Sequence, residues 1–217
     1  MIIDILTLFP DFFQIPLNTS ILKRAQTKKL VFLNIHNLRN YTTDKHHSVD
    51  DKPYGGGPGM ILKPQPIYLA LKDLKKKKTK STHTILLTPK GKTYTQKKAQ
   101  SLSKKDHLIL ISGHYEGFDH RITNYVDDQI SIGNYILTGG EIPALILIDS
   151  IVRLIPNVIN KQSLQNESFS THPHALEYPQ YTRPPIFKGK SVPKILLSGD
   201  HQKITAWQKK MTKIQKI

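Results

Sequence analysis

The sequence predicts an α/β protein built on a parallel sheet with helices on both faces. Three observations carry that expectation. Short runs of almost wholly apolar residues recur through the first two-thirds of the 217 residues, and such runs suit strands covered on both sides. Amphipathic segments of helical period separate those runs, and strand-helix alternation is the pattern of a parallel sheet. Glycine clusters follow the runs, where an open parallel sheet places its ligand crevice.

Each element has its own justification. Ile2–Phe9, Val31–Leu38, His83–Thr88, His107–Ser112 and Gln129–Ile132 are short, rich in Ile, Leu and Val, and too brief for buried helices. Leu17–Lys29, Pro66–Lys76 and Thr95–Lys104 space their apolar residues three and four apart, with Pro or Thr near two of the starts. Glu141–Ile155 is apolar around most of its circumference. Beyond it the apolar signal stops and Asn and Gln take over. The expected organisation is a sheet domain over 1–159, a linker over 160–166 and a small, mostly helical C-terminal domain over 167–217. Pro173, Pro179, Pro184, Pro185 and Pro193 interrupt that last part, which closes on a basic helix, His201–Lys216.

Composition narrows the function classes. Thirty-two Lys and Arg oppose sixteen Asp and Glu, a formal charge of +16. Such an excess favours a polyanionic partner through counterion release, although the run Lys72–Lys80 reads equally as a solvated helix end. Cysteine is absent, which excludes disulfides and thiolate metal sites. The opening MIIDILTLFPDFF has no basic stretch before its apolar residues and carries Asp4, unlike a signal peptide. The apolar stretch Ile142–Ile159 is broken by Asp149, Arg153 and Pro156, which argues against a membrane span. The expected setting is cytoplasmic, with no membrane.

Four glycine clusters sit at strand ends: Tyr54–Gly59, Gly113–Gly117, Ile132–Tyr135 and Leu137–Glu141. Glycine there lets backbone approach a ligand and leaves amide groups unobstructed. Two nucleotide signatures fail. Gly189-Lys190-Ser191 has Pro184 where a P-loop needs its first glycine, and Gly55-Gly56-Gly57 has Met60 where a dinucleotide fingerprint needs its third. His46-His47 and His172-Pro173-His174 lack the companions of a zinc site, so no metal ligand is assigned.

The strings Asp50–Met60 (DDKPYGGGPGM), Ser112–Asp119 (SGHYEGFD), Ser131–Ala144 (SIGNYILTGGEIPA) and Tyr181–Pro184 (YTRP), in that order, resemble the bacterial tRNA (guanine-N(1))-methyltransferase family. The resemblance extends from near residue 1 to about Trp207. It implies the SPOUT fold, whose sheet domain carries a C-terminal-region trefoil knot that ordinary connection rules forbid. It also implies methylation of N(1) of the guanine at tRNA position 37, S-adenosylmethionine as methyl donor, Mg²⁺ as a further requirement, and a homodimer with active sites at the subunit interface.

By that resemblance, Leu87, Thr88, Pro89, Gly113, Tyr115, Glu116, Ile132, Gly133, Asn134, Tyr135, Ile136, Leu137, Gly139 and Gly140 hold the cofactor. Asp50, Tyr54, Gly55, Gly59, Tyr181 and Arg183 bind the substrate. The reaction needs a base for the N(1) proton and a cation for charge growing on the ring and O6; the resemblance assigns Glu167 and Arg153 to these roles. The chain departs from the family at Glu167, which replaces an Asp, and at His114, Asn134 and Gln180, where Arg, Asp and His are usual. Relatives continue with further helices beyond Trp207, and the lysines of 201–217 are expected to contact phosphates in their stead. Two other readings stay open on the residues: a SPOUT methyltransferase for another RNA site, and a catalytically inactive RNA-binding relative.

Overall fold

The computed structural model describes residues 1–76, 81–164, 167–170 and 172–214. Part of the lysine run (77–80), two residues of the expected linker (165 and 166), residue 171, and the last two residues of the expected terminal helix with the one after it (215–217) lie outside them. The chain divides into two compact units, Met1–Ile159 and Asn160–Ile217.

The first unit begins with β1 (Ile2–Thr7), short helices α1 (Gln14–Leu17) and α2 (Ser20–Thr27), and β2 (Phe32–Asn37). One helix was expected over Leu17–Lys29. The chain breaks it at Thr19, which is extended (φ −121°, ψ 156°), and Ser20 follows at φ 47°. Two-residue strands β3 (Asp50–Asp51) and β4 (Ile61–Leu62) pair antiparallel around the glycine loop. Then come α3 (Pro64–Leu74), β5 (Thr82–Thr93), α4 (Gln96–Leu102), β6 (His107–Ser112), β7 (Asp128–Ser131) and α5 (Glu141–Val152).

Five strands form one sheet in the order β2-β1-β6-β5-β7, every pair parallel. Alternation along β6 builds a core on each face. Leu108 and Leu110 join Ile3, Ile5 and Ile85 under Leu22 of α2 and Leu147, Ile148 and Ile151 of α5. Ile109 and Ile111 join Leu6 and Leu86 under Ile67, Ala70, Leu71 and Leu74 of α3. Helices on both faces explain why the strands read as continuous apolar runs.

β5 runs beyond the expected Thr88 to Thr93. Its pairing with β7 shifts register between Leu87 and Lys92, so an irregularity carries polar residues past the apolar run. There Gly91 passes the backbone of Gln129 and Ile130 so closely that a Cβ would stand 2.5 Å from it. No helix among the described residues is long and apolar enough to cross a membrane.

The second unit is loop-rich, with β8 (Ala175–Leu176), β9 (Ile186–Phe187), β10 (Lys190–Ser191), α6 (His201–Met211) and β11 (Lys213–Ile214). Asp200 caps α6 by accepting from the Lys203 amide at 3.1 Å. The helix stops at Met211 because Thr212 turns extended and the next two residues pair antiparallel with Ala175–Leu176.

Candidate active site

The irregular stretch 87–90 of β5 and the loops leaving β6 and β7 at their carboxyl ends enclose a cavity of about 370 Å³. Leu87, Thr88 and Pro89 form one wall, Gly113, Tyr115 and Glu116 a second, and Ile132, Gly133, Tyr135, Ile136, Leu137, Gly139 and Gly140 a third. These are the residues named for the cofactor, with one exception. Asn134 does not line the cavity; its neighbours Gly133 and Tyr135 do.

Glycine is required at two of these places for space. A Cβ on Gly113 would press on the Phe118 ring at 2.7 Å, and one on Gly140 would meet the backbone of Gly113 and Ser112 at 2.6–2.7 Å. The walls combine backbone and apolar side chains with the charged Lys90, Glu116 and Asp119. Such a cleft suits a flat heteroaromatic ring and an apolar stem, and its size lies in the range of small-molecule sites.

The loop between β3 and β4 abuts the same wall. The Glu116 amide donates to the Met60 carbonyl at 3.0 Å, and the Leu62 amide donates to the Gly117 carbonyl at 2.9 Å. Gly59 (φ 79°) passes directly over the Glu116 side chain. Asp50 lies in β3, whereas Tyr54 at the loop tip is fully exposed beside Gly55 (φ 85°). A loop of successive left-handed glycines beside an open cleft is placed to move or to meet a partner.

Electrostatics near the cleft centre on α5. Glu141, its first residue, is 5% exposed, and its Oε1 accepts a 2.8 Å hydrogen bond from the Thr7 hydroxyl. His114 packs edge-on between Phe9 and Tyr115, and its Nδ1 is shut off from solvent without a hydrogen-bond partner. Residue-by-residue reading named neither for the cofactor. A carboxylate opening an otherwise apolar helix was the available signal for Glu141. Arg153 stands at the carboxyl end of α5.

In the second unit, Glu167 lines a cavity of about 330 Å³ with Glu177, Tyr178, Thr205, Gln208 and Lys209. The carbonyl of Glu167 accepts from the amide and hydroxyl of Ser170, and the Phe169 amide donates to the Ala175 carbonyl at 2.7 Å. These bonds fold the Glu167 segment onto the β8–β11 pair. The Tyr181 ring lies 6.4 Å from that of Trp207 on α6, and Arg183 precedes the β9–β10 hairpin.

Comparison with known proteins agrees in one direction. The family model for tRNA (Guanine-1)-methyltransferase TrmD matches residues 1–216. A tRNA (guanine-N(1)-)-methyltransferase of Carboxydothermus hydrogenoformans is 53% identical over 214 residues, covering 98% of this chain and 83% of the relative. Those of Staphylococcus carnosus and Dictyoglomus turgidum are 54% and 53% identical, with 96% of this chain covered in each case. A match of this length and identity, laid over a parallel α/β sheet with a cleft at its strand ends, settles the relationship: the chain belongs to the tRNA (guanine-1)-methyltransferase TrmD family.

Proposed function

We propose that this protein methylates N(1) of the guanine at position 37 of tRNA, using S-adenosylmethionine bound in the cleft formed by β5 and the loops after β6 and β7. The observation that carries the reading is the cleft itself: backbone-rich, partly apolar, and crossed by Gly113 and Gly140 where no Cβ fits. The buried Nδ1 of His114 in its wall adds an unmet polar group at the same place. When bound there, the cofactor supplies a methyl group on a sulfonium, an electrophile that needs no metal for activation.

The chain's own groups do the rest. The proton on guanine N(1) must leave for its lone pair to attack, and Glu167 is proposed as the base that takes it. Arg153 is proposed to offset the negative charge that then grows at O6. Glu167 and Glu177 both face one cavity with Lys209, so the base sits among polar groups that keep a nucleobase edge hydrogen-bonded.

The active protein is proposed to be a homodimer with its sites at the interface. Ile142 and Ile146 on α5 are 45% and 40% exposed, and Tyr135 and Ile136 before the helix are exposed as well. Exposed isoleucines on a helix that is otherwise apolar suit a two-fold contact. We further propose that the chain threads the family's trefoil knot, that residues 167–217 grip tRNA, and that the setting is cytoplasmic.

Mass spectrometry of a tRNA transcript after incubation with protein and S-adenosylmethionine tests the reading. One methyl group on a transcript with guanines at 36 and 37 is expected, and none when the guanine at 37 is replaced by adenine. Methylation of the altered transcript would overturn it. Repeating the assay with chelator and with added Mg²⁺ decides the metal requirement.

A further inference from the structure

Two polar groups at the cleft meet at Gly139. A Cβ built there would lie 3.0 Å from His114 Nδ1 and still closer to Glu141 Oε2. Both atoms thus fall within 3.0 Å of a single point, so they are less than twice that distance apart. Neither meets its hydrogen-bonding capacity through the other: Nδ1 has no partner, and the Glu141 carboxylate is held through Oε1 by Thr7. Thr7 is itself fixed, its hydroxyl accepting from the Phe9 amide at 2.9 Å, while the Phe9 ring packs on His114. A buried carboxylate and a sealed imidazole nitrogen thus flank Gly139, which lines the cleft.

We propose that His114 and Glu141 are positioning residues for the cofactor, forming a latch across Gly139 that closes when the cleft is filled. This rests on the proposed cofactor reading. In the closed state the Nδ1–H of His114 donates to Glu141 Oε2, while Thr7 continues to donate to Oε1. An unmade hydrogen bond between buried groups costs free energy, and its formation on binding adds to the affinity of whatever ligand draws the Gly139 loop inward. Gly139 has to be glycine because a Cβ there would crowd both the donor and the acceptor. The device itself links the end of β1, the loop after β6 and the start of α5, three segments distant in sequence.

Calorimetric titration of the full chain with S-adenosylmethionine, alongside thermal melts, tests the latch. His114→Phe keeps the packing between Phe9 and Tyr115 but removes the donor. His114→Asn sacrifices packing but carries an N–H close to the Nδ1 position. The latch predicts about tenfold weaker binding for H114F, near-native binding for H114N, and about tenfold weaker binding for E141Q, which still accepts from Thr7. The double variant H114F/E141Q should bind no worse than the weaker single, because one bond is lost once. His114→Leu replaces the Phe variant if that one fails to fold. Native affinity in H114F or H114L, or loss in H114N equal to that in H114F, overturns the latch and leaves His114 a packing residue. Wild-type protein that does not bind S-adenosylmethionine at all overturns the cofactor reading, and the latch with it.

Discussion

Gly140 donates its amide proton to the carbonyl of Gly113 at 2.8 Å, tying the start of α5 to the loop that leaves β6. The Ser112 hydroxyl returns a bond to the Gly140 carbonyl at 3.2 Å. Backbone therefore meets backbone at the cleft floor, and a methyl group has no flexible side chain to displace. Gly140→Ala is expected to cost about 1–3 kcal/mol of stability, the usual scale of overpacking. Calorimetry should show a lower melting temperature together with weakened cofactor binding. An unchanged melt would mean that the two loops separate more easily than their hydrogen bonds suggest.

Glu167→Gln should lower the rate of methyl transfer by about 10²–10⁴-fold, the scale of general base catalysis, with cofactor affinity unaltered. Glu167→Asp shortens the side chain but keeps the carboxylate, and should retain most of the activity. Single-turnover rates on tRNA measure both. A Gln variant that turns over normally removes Glu167 from the chemistry.

Arg153→Ala and Glu167→Gln chains, each inactive alone, test how the sites are assembled. If each site takes Arg153 from one subunit and Glu167 from the other, a mixed dimer contains one site with both residues intact and one with neither. Mixing should then restore activity. If both residues come from one chain, every site in the mixed dimer carries a lesion and activity stays absent. Ile146→Lys places a charge on the exposed side of α5, where Ile146 is 40% exposed, and should yield an inactive monomer by sedimentation. An active monomer contradicts the dimer.

Asp128, which does not line the cleft, supplies a pH test. It receives bonds from Lys98 and His83. Burial pushes its carboxyl up, but the Lys98 and His83 contacts outweigh burial and hold it below the usual carboxylate range. A depressed value in the folded state stabilises the fold above the unfolded value of about 3.9, and that contribution is lost as pH falls through the lower folded value. Asp128→Asn should melt below wild type at pH 7, and the gap should close as pH drops below about 4. A gap that persists in acid would assign the effect to packing.

The sheet was legible because its strands are buried on both faces. His107–Ser112 was read to the residue, since all six side chains are buried and a polar residue bounds the run on one side, a glycine on the other. The continuation of β5 was not legible: Pro89, Lys90 and Lys92 look like a loop, and only the approach of Gly91 to β7 makes them strand. The pairs β3–β4 and β8–β11 are two residues long, below any periodicity. The cleft was legible only through motifs, which name residues without saying which way each points. Asn134 falls inside a motif yet off the cavity wall. His114 and Glu141 fall inside motifs too, but their relation across Gly139 exists only in three dimensions.

The order of strands also sets a timetable. β1 lies between β2 and β6, with Ile2 beside Phe32 on one edge and His107 on the other. At about 5–20 residues per second, a ribosome supplies the first neighbour within seconds and the second only several seconds later. Until then Ile3, Ile5 and Leu6 belong to a strand with one bare edge and half a core. Pairings so far apart in sequence slow folding, so the sheet closes only once β6 and β7, in the third quarter of the chain, have been synthesised.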